Sequence, residues 1–160
     1  MNEIRYVHTN IVAENWRILS EFYIDVFGCR QVEPERDLCG DWIDALTGLS
    51  HAHIQGMHLA LPGFAEGGPT LEIFSYDPKQ LYDKYDPINR KGFAHIAFHV
   101  DSVDQIVNKI LDLGGSMVGS VVVREYRELE NLTVAYCRDP EGNCIEIQNW
   151  NKNEGETIDG

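Results

Sequence analysis

Four residues of this chain have the types and spacing to hold a metal ion together: His8, Glu72, His95 and Glu146. Two imidazoles and two carboxylates make a donor set of borderline hardness that suits a divalent transition metal. Four protein ligands on a six-coordinate ion leave two adjacent positions for water or for a bidentate substrate. Taken singly, none of the four is informative. A glutamate on a strand is ordinarily solvated, and a lone histidine is ordinarily a structural or surface residue. What links them is a repeat. His8 lies 20 residues before Gly28, and His95 lies 20 before Gly115. Leu71-Glu72-Ile73 and Ile145-Glu146-Ile147 close the two halves. The histidines are 87 residues apart and the glutamates 74, a difference of 13. One duplicated unit with an expanded loop around residues 37–52 accounts for all four positions.

The elements that must position these side chains follow from periodicity. Alternation predicts a strand over residues 1–12. Trp16, Leu19, Phe22, Tyr23, Val26 and Phe27 recur at three and four and predict a helix that Gly28 ends. Residues 29–36 read as extended, and 37–52 as a loop with a short helical turn. Strands are expected over 53–61 and 70–76, followed by a connecting loop over 77–89. The order then starts again. A strand spans 92–100, and Asp101 or Ser102 caps a helix with a stripe of Val103, Ile106, Val107, Ile110, Leu111 and Leu113. Strands follow over 117–123, 132–138 and 144–150, the last two joined by the turn Asp139-Pro140-Glu141-Gly142-Asn143. The chain is thus β-α-β-β-β written twice: an α+β domain over residues 1–150, with modules at about 4–76 and 92–150. A flexible tail is expected over 151–160.

Composition removes other functions. The chain has 160 residues, with 26 acids against 13 bases and a formal net charge of −13. Such a surface repels phosphate backbones, and no basic patch offsets it, so nucleic acid and anionic membrane partners are not expected. No apolar run approaches the ~20 residues of a membrane span. No signal peptide is expected from the first residues. The four cysteines form no CxxC pair and suggest no disulfide framework, which reads as a reduced, cytoplasmic setting.

The segments His8-Thr9-Asn10-Ile11-Val12, Glu21 to Gly28, Gly92-Phe93-Ala94-His95-Ile96-Ala97-Phe98 and Arg138 to Glu146 resemble the vicinal oxygen chelate superfamily. That group includes glyoxalase I, methylmalonyl-CoA epimerase, bleomycin-resistance proteins and extradiol dioxygenases. The resemblance covers residues 4–150. It implies two βαβββ modules whose eight strands form one curled mixed sheet around a metal. It places the ligands at His8, Glu72, His95 and Glu146, with one divalent ion per site (Zn, Ni, Co, Mn or Fe). A competent metal set argues against the metal-free bleomycin-binding type. Extradiol dioxygenases generally match His8, His95 and Glu146 without a ligand at position 72, so Glu72 points toward the four-ligand isomerase branch.

The resemblance implies a metal-dependent isomerase, epimerase or glyoxalase-type lyase. It would act on a small carbonyl substrate by proton abstraction through a metal-stabilised enediolate. Glu146 would be ligand and base, and Glu72 a ligand and the second base of an epimerase. A non-haem Fe(II) extradiol-type dioxygenase and a non-catalytic small-molecule-binding protein are the alternatives. A homodimer is the default assembly. No glutathione or coenzyme A site is legible.

His58, Phe74, His99 and Tyr136 are candidates for the substrate pocket, with core packing the plainer reading of the two aromatics. His51 and His53 read as solvated. Arg5, Arg30, Arg90, Arg124 and Arg127 are equal candidates for holding an anionic substrate. Cys137 and Cys144 flank the Asp139–Asn143 turn and are expected opposite one another as small core residues. The 37–52 loop is expected to cover the site or to build a dimer contact.

Overall fold

A computed structural model describes residues 3–80, 86–127 and 130–152, without the side chains of 127, 130 and 152. The chain divides into two compact units, Met1–Asp83 and Lys84–Gly160. The fold is mixed α+β, and each unit carries its own mixed sheet.

In the first unit the elements are β1 (His8–Val12), α1 (Trp16–Phe27), β2 (Arg30–Cys39), α2 (Asp41–Thr47), β3 (His53–Ala60) and β4 (Thr70–Asp77). The sheet order is β1-β4-β3-β2, with β1 parallel to β4 and the other pairs antiparallel. Asn15 starts α1 by accepting from the Arg17 and Ile18 amides, and Gly28 ends it at φ 70°. The helix buries Trp16, Leu19, Phe22, Tyr23 and Val26. On β3 and β4, Met57, Leu59, Leu71 and Ile73 are buried. They alternate with His58, Glu72 and Phe74, which therefore lie on the opposite face.

The second unit holds β5 (Ile96–His99), α3 (Val103–Asp112), β6 (Ser116–Met117), β7 (Val122–Arg127), β8 (Glu130–Arg138) and β9 (Cys144–Lys152). Its order is β5-β9-β8-β6, with β7 also on β8. Strand β5 is parallel to β9, as β1 is to β4. Ser102, not Asp101, caps α3 through the Gln105 amide. Past the helix, Gly114 takes the left-handed conformation at φ 87°, one residue earlier than the spacing from His95 suggests.

The β-α-β-β-β repeat is thus present, and several boundaries differ from expectation. The first strand of each unit is shorter than its alternation predicts. Strand β1 begins at His8, opposite Thr70, where its partner β4 itself begins. Ile4 and Tyr6 are exposed, and so is Phe93 before β5. The strand expected over 117–123 is split into β6 and β7. Both pair with β8, but five steps from Met117 to Val122 face three from Cys137 to Val134, so two residues are looped out. In place of the eight expected strands the described residues form nine, in a four-stranded and a five-stranded sheet. Asn151 and Lys152, expected in a flexible tail, continue β9 in register with β8. Residues 153–160 lie outside the described ones.

The 37–52 segment is more ordered than a loop. Its first three residues belong to β2, and α2 follows between Gly40 and Gly48. Asp44 then accepts from the amides of His51 at 2.7 Å and Ala52 at 2.8 Å, which ties the chain back to the helix. Ile43 packs with Ala52, Ile54 and Phe74, so α2 covers one end of the sheet face that carries His58 and Glu72. Among the described residues no helix is long and apolar enough to cross a membrane.

Candidate metal centre

Register places the same positions around each glutamate. In the first unit Glu72 is opposite Asn10 on one side and His58 on the other. In the second, Glu146 is opposite Ala97 and Tyr136. His8 precedes Asn10 by two residues and His95 precedes Ala97 by two, so the two histidines are equivalent in the repeat. His95 stands one residue ahead of β5 rather than within it. His58 and Tyr136 are thereby equivalent. His58 precedes Glu72 by 14 residues and Tyr136 precedes Glu146 by 10. Four of the 13 extra residues thus belong to the β3–β4 connection and nine lie earlier, which corrects the assignment of all of them to residues 37–52.

In the first unit Glu72 is buried, only 9% exposed. His58 Nε2 lies 2.9 Å from its Oε1, and His8 Nε2 lies 3.2 Å from its Oε2. Asn10 donates its side-chain amide to Oε2 at 3.3 Å. His58 Nδ1 lies 3.0 Å from Thr70 Oγ1, and its ring meets those of His8 and Phe74 edge-on at 5.8 Å. Burial lowers the pKa of the His58 imidazole, and Glu72 opposes that shift. Gly56 makes room for this packing, because a Cβ there would lie 2.1 Å from the Ile73 carbonyl and 2.4 Å from the Phe74 ring.

In the second unit His95 Nε2 lies 3.1 Å from Glu146 Oε2. The Tyr136 hydroxyl donates to the same oxygen at 3.0 Å, and its ring meets His95 at 5.1 Å. Burial first, and then the bond to Glu146, raise the pKa of the Tyr136 phenol. The hairpin that brings Tyr136 to Glu146 turns on Asp139, 2% exposed. Its Oδ1 accepts from the amides of Glu141 and Asn143, and its Oδ2 from Asn143 Nδ2.

The donors fit a divalent transition ion. Nitrogen and oxygen ligands sit about 2.1 Å from such an ion, so neighbouring ligands lie about 3 Å apart. The ligand atoms of His8, His58 and Glu72 all fall within 4.8 Å of one another. Neutral imidazoles and a carboxylate are the usual ligands of zinc, nickel, cobalt and iron.

Each expected histidine–glutamate pair therefore forms inside its own unit. Of the expected pocket residues, His58 and Tyr136 bond directly to the glutamates, and Phe74 packs between His58 and the α2 cluster. His99 is exposed on β5, opposite Gln148. Asn10 and Thr70 were not expected; the signal was their position two residues from His8 and from Glu72, on the same faces. His53 is paired with Asp37 rather than simply solvated. Cys137 faces Ile145 and Cys144 faces Arg138, so the two cysteines are one step out of register. Arg90 pairs with Asp86, and Arg124 lies over the Tyr126 ring.

Solved structures share this fold. A glyoxalase family protein from Bacillus cereus superposes with a TM-score of 0.71 at 22% identity, over 94% of this chain and 95% of that one. A glyoxalase/bleomycin resistance protein/dioxygenase family enzyme from Burkholderia phytofirmans PsJN gives 0.55 at 17%, over 89% and 95%. A glyoxalase family protein from Enterococcus faecalis gives 0.54 at 20%, over 91% and 96%. Among curated proteins, none matches the chain. Residues 5–147 match the Glyoxalase/Bleomycin resistance protein/Dioxygenase superfamily, and the chain belongs to that superfamily.

Proposed function

We propose that this chain is a metal-dependent enzyme that moves a proton next to a carbonyl group, as an isomerase or a glyoxalase-type lyase. The observation that carries the reading is the unequal use of the two glutamates. Glu72 has both oxygens engaged, Oε1 by His58 and Oε2 by His8 and Asn10. Glu146 takes His95 and Tyr136 on Oε2 alone, and among the described residues its Oε1 has no hydrogen-bond partner. A general base needs a free lone pair within reach of the substrate. Glu146 meets that need, and Glu72 is an anchor.

In this reading His8 with Glu72 in the first unit, and His95 with Glu146 in the second, are the candidate ligands. When bound, a divalent ion supplies Lewis acidity to a substrate carbonyl oxygen. The chain's own groups do the rest. The Tyr136 hydroxyl fixes Glu146 through Oε2. Oε1 takes the carbon-bound proton and returns it to a neighbouring atom. One base serves an isomerase or a lyase, whereas an epimerase needs a second base on the opposite face. The full engagement of Glu72 therefore favours the one-base reactions.

The test is deuterium wash-in from D2O, read by proton NMR on metal-loaded protein. Suitable probes are dihydroxyacetone and the hemithioacetal of methylglyoxal with glutathione. Exchange beside the carbonyl is expected, lowered roughly 10²- to 10⁴-fold in Glu146→Gln, the usual worth of a positioned base. Exchange undiminished by that substitution overturns the assignment. Oxygen uptake with a catechol, dependent on ferrous iron and without exchange, would replace the reading with a dioxygenase.

A further inference from the structure

We infer that His58 is a third metal ligand of the first unit, so that His8, His58 and Glu72 hold a divalent first-row transition ion as a donor set of their own. The inference rests on the reading above that the chain binds such an ion. It departs from the four-residue set, in which His58 has no part.

Three observations carry it. The first is convergence. Two imidazole Nε2 atoms approach one carboxylate, one on each oxygen, at 2.9 and 3.2 Å. Lone pairs on nitrogen and carboxylate oxygen repel at such distances unless a proton or a cation lies between them. Two separate protons or one shared cation would satisfy this arrangement, and the cation would join the three groups through a single centre. Among the described residues these are the only three histidine, cysteine or acidic side chains whose ligand atoms gather within 4.8 Å.

The second is orientation. A metal-binding histidine characteristically bonds its far ring nitrogen to a fixed polar partner, which sets the tautomer and aims the ligating nitrogen. His58 has that partner in Thr70 Oγ1, 3.0 Å from Nδ1. The ring is further held edge-on between His8 and Phe74. Its side chain is 18% exposed against 41% for His8, so it is the more firmly placed of the two.

The third is the break in the repeat. The position equivalent to His58 is Tyr136, which donates to its glutamate through a hydroxyl. A phenol supplies a proton to a carboxylate without competing for a cation. An imidazole can give up its Nε2 proton to make room for one. The two units therefore differ at the same address: the first presents an imidazole that can take an ion, the second a phenol that donates a proton to its glutamate.

The test is Zn²⁺ and Co²⁺ affinity by calorimetry, with nitrogen-15 shifts of the histidine rings in the intact labelled protein. We expect the His58 Nε2 resonance to shift on Zn²⁺ binding while Nδ1 stays protonated. We expect His58→Gln to weaken binding by more than about 100-fold. Thr70→Val, which removes only the orienting partner, should weaken it roughly 10- to 100-fold. The ring shifts in unsubstituted protein decide the matter even if a variant misfolds, which circular dichroism would reveal. Binding kept within about threefold in folded His58→Gln, with an unshifted His58 ring, overturns the inference. If His8→Ala and Glu72→Gln still abolish binding in that case, the metal reading stands without His58. If neither weakens binding, or unsubstituted protein takes up no ion, both readings fall.

Discussion

Replacing Asp139 with alanine should cost about 3 kcal/mol of folding stability. The residue is 2% exposed and its carboxylate accepts three hydrogen bonds, two from backbone amides at 2.9 Å and one from Asn143 Nδ2 at 2.8 Å. Bonds to a charged group are worth about 1.5–3 kcal/mol each, but Glu141 and Asn143 are half-buried, and water can take over part of the loss. About 1 kcal/mol per bond is the figure that survives this discount. For a chain of this length that corresponds to a fall in Tm of roughly 6–12 °C. Asp139→Asn keeps an oxygen for both backbone amides and should lose only about 1 kcal/mol. Urea unfolding followed by circular dichroism measures both variants. The alanine variant should also raise hydrogen exchange in β8 and β9, because the turn fixes the register of Tyr136 against Glu146. An alanine variant within about 1 kcal/mol of the unsubstituted protein, or an asparagine variant as damaged as alanine, would refute the reasoning.

Three further outcomes follow. Gly56→Ala drives a Cβ into the backbone of β4 at 2.1 Å and should destabilise by about 2–3 kcal/mol, weakening metal uptake with it; an unchanged unfolding midpoint contradicts this. Of the four cysteines, Cys39 is exposed and the other three are buried, with Cys29 and Cys137 pushed up to about 11 by desolvation. Native protein treated with iodoacetamide at pH 8 should therefore take one label, at Cys39, and four after denaturation, counted by mass spectrometry. The amides of His51 and Ala52 hold the Asp44 carboxylate below its ordinary range. A depressed folded value means the stabilisation is complete above the unfolded carboxylate value of about 3.9 and is lost as pH falls through the folded one. Amide protection at His51 and Ala52 should thus decline below about pH 4, and protection unaltered down to pH 2 would contradict it.

The repeat and the four metal-competent residues were legible because duplication leaves a mark that needs no register. His8 and His95, or Glu72 and Glu146, can be matched by counting. The match of His58 with Tyr136 could not be counted. It depends on how many residues each hairpin connection contains, nine after β3 and five after β8, and turn chemistry alone does not divide 13 extra residues between two loops. The split of one strand into β6 and β7 was hidden for a related reason. Gly119 and Ser120 interrupt the apolar run of Met117 to Val123, but a two-residue break does not by itself show that the strand divides there. Conversely, alternation before His8 and before His95 suggested strand where none forms, because alternation cannot show whether a partner strand extends that far.

The parallel pairing of the first and last strands of each unit bears on how the protein folds. His8 and Glu72 are 64 residues apart in sequence, and His95 and Glu146 are 51 apart. Contacts of that span close late, after the loops between them have lost their freedom. An ion bridging such a pair recognises only a finished unit. It would leave the folding rate nearly unchanged and slow unfolding instead, adding about 2.7 kcal/mol at a hundred times its dissociation constant. The protein's lifetime under proteolysis would then track the metal supply around it.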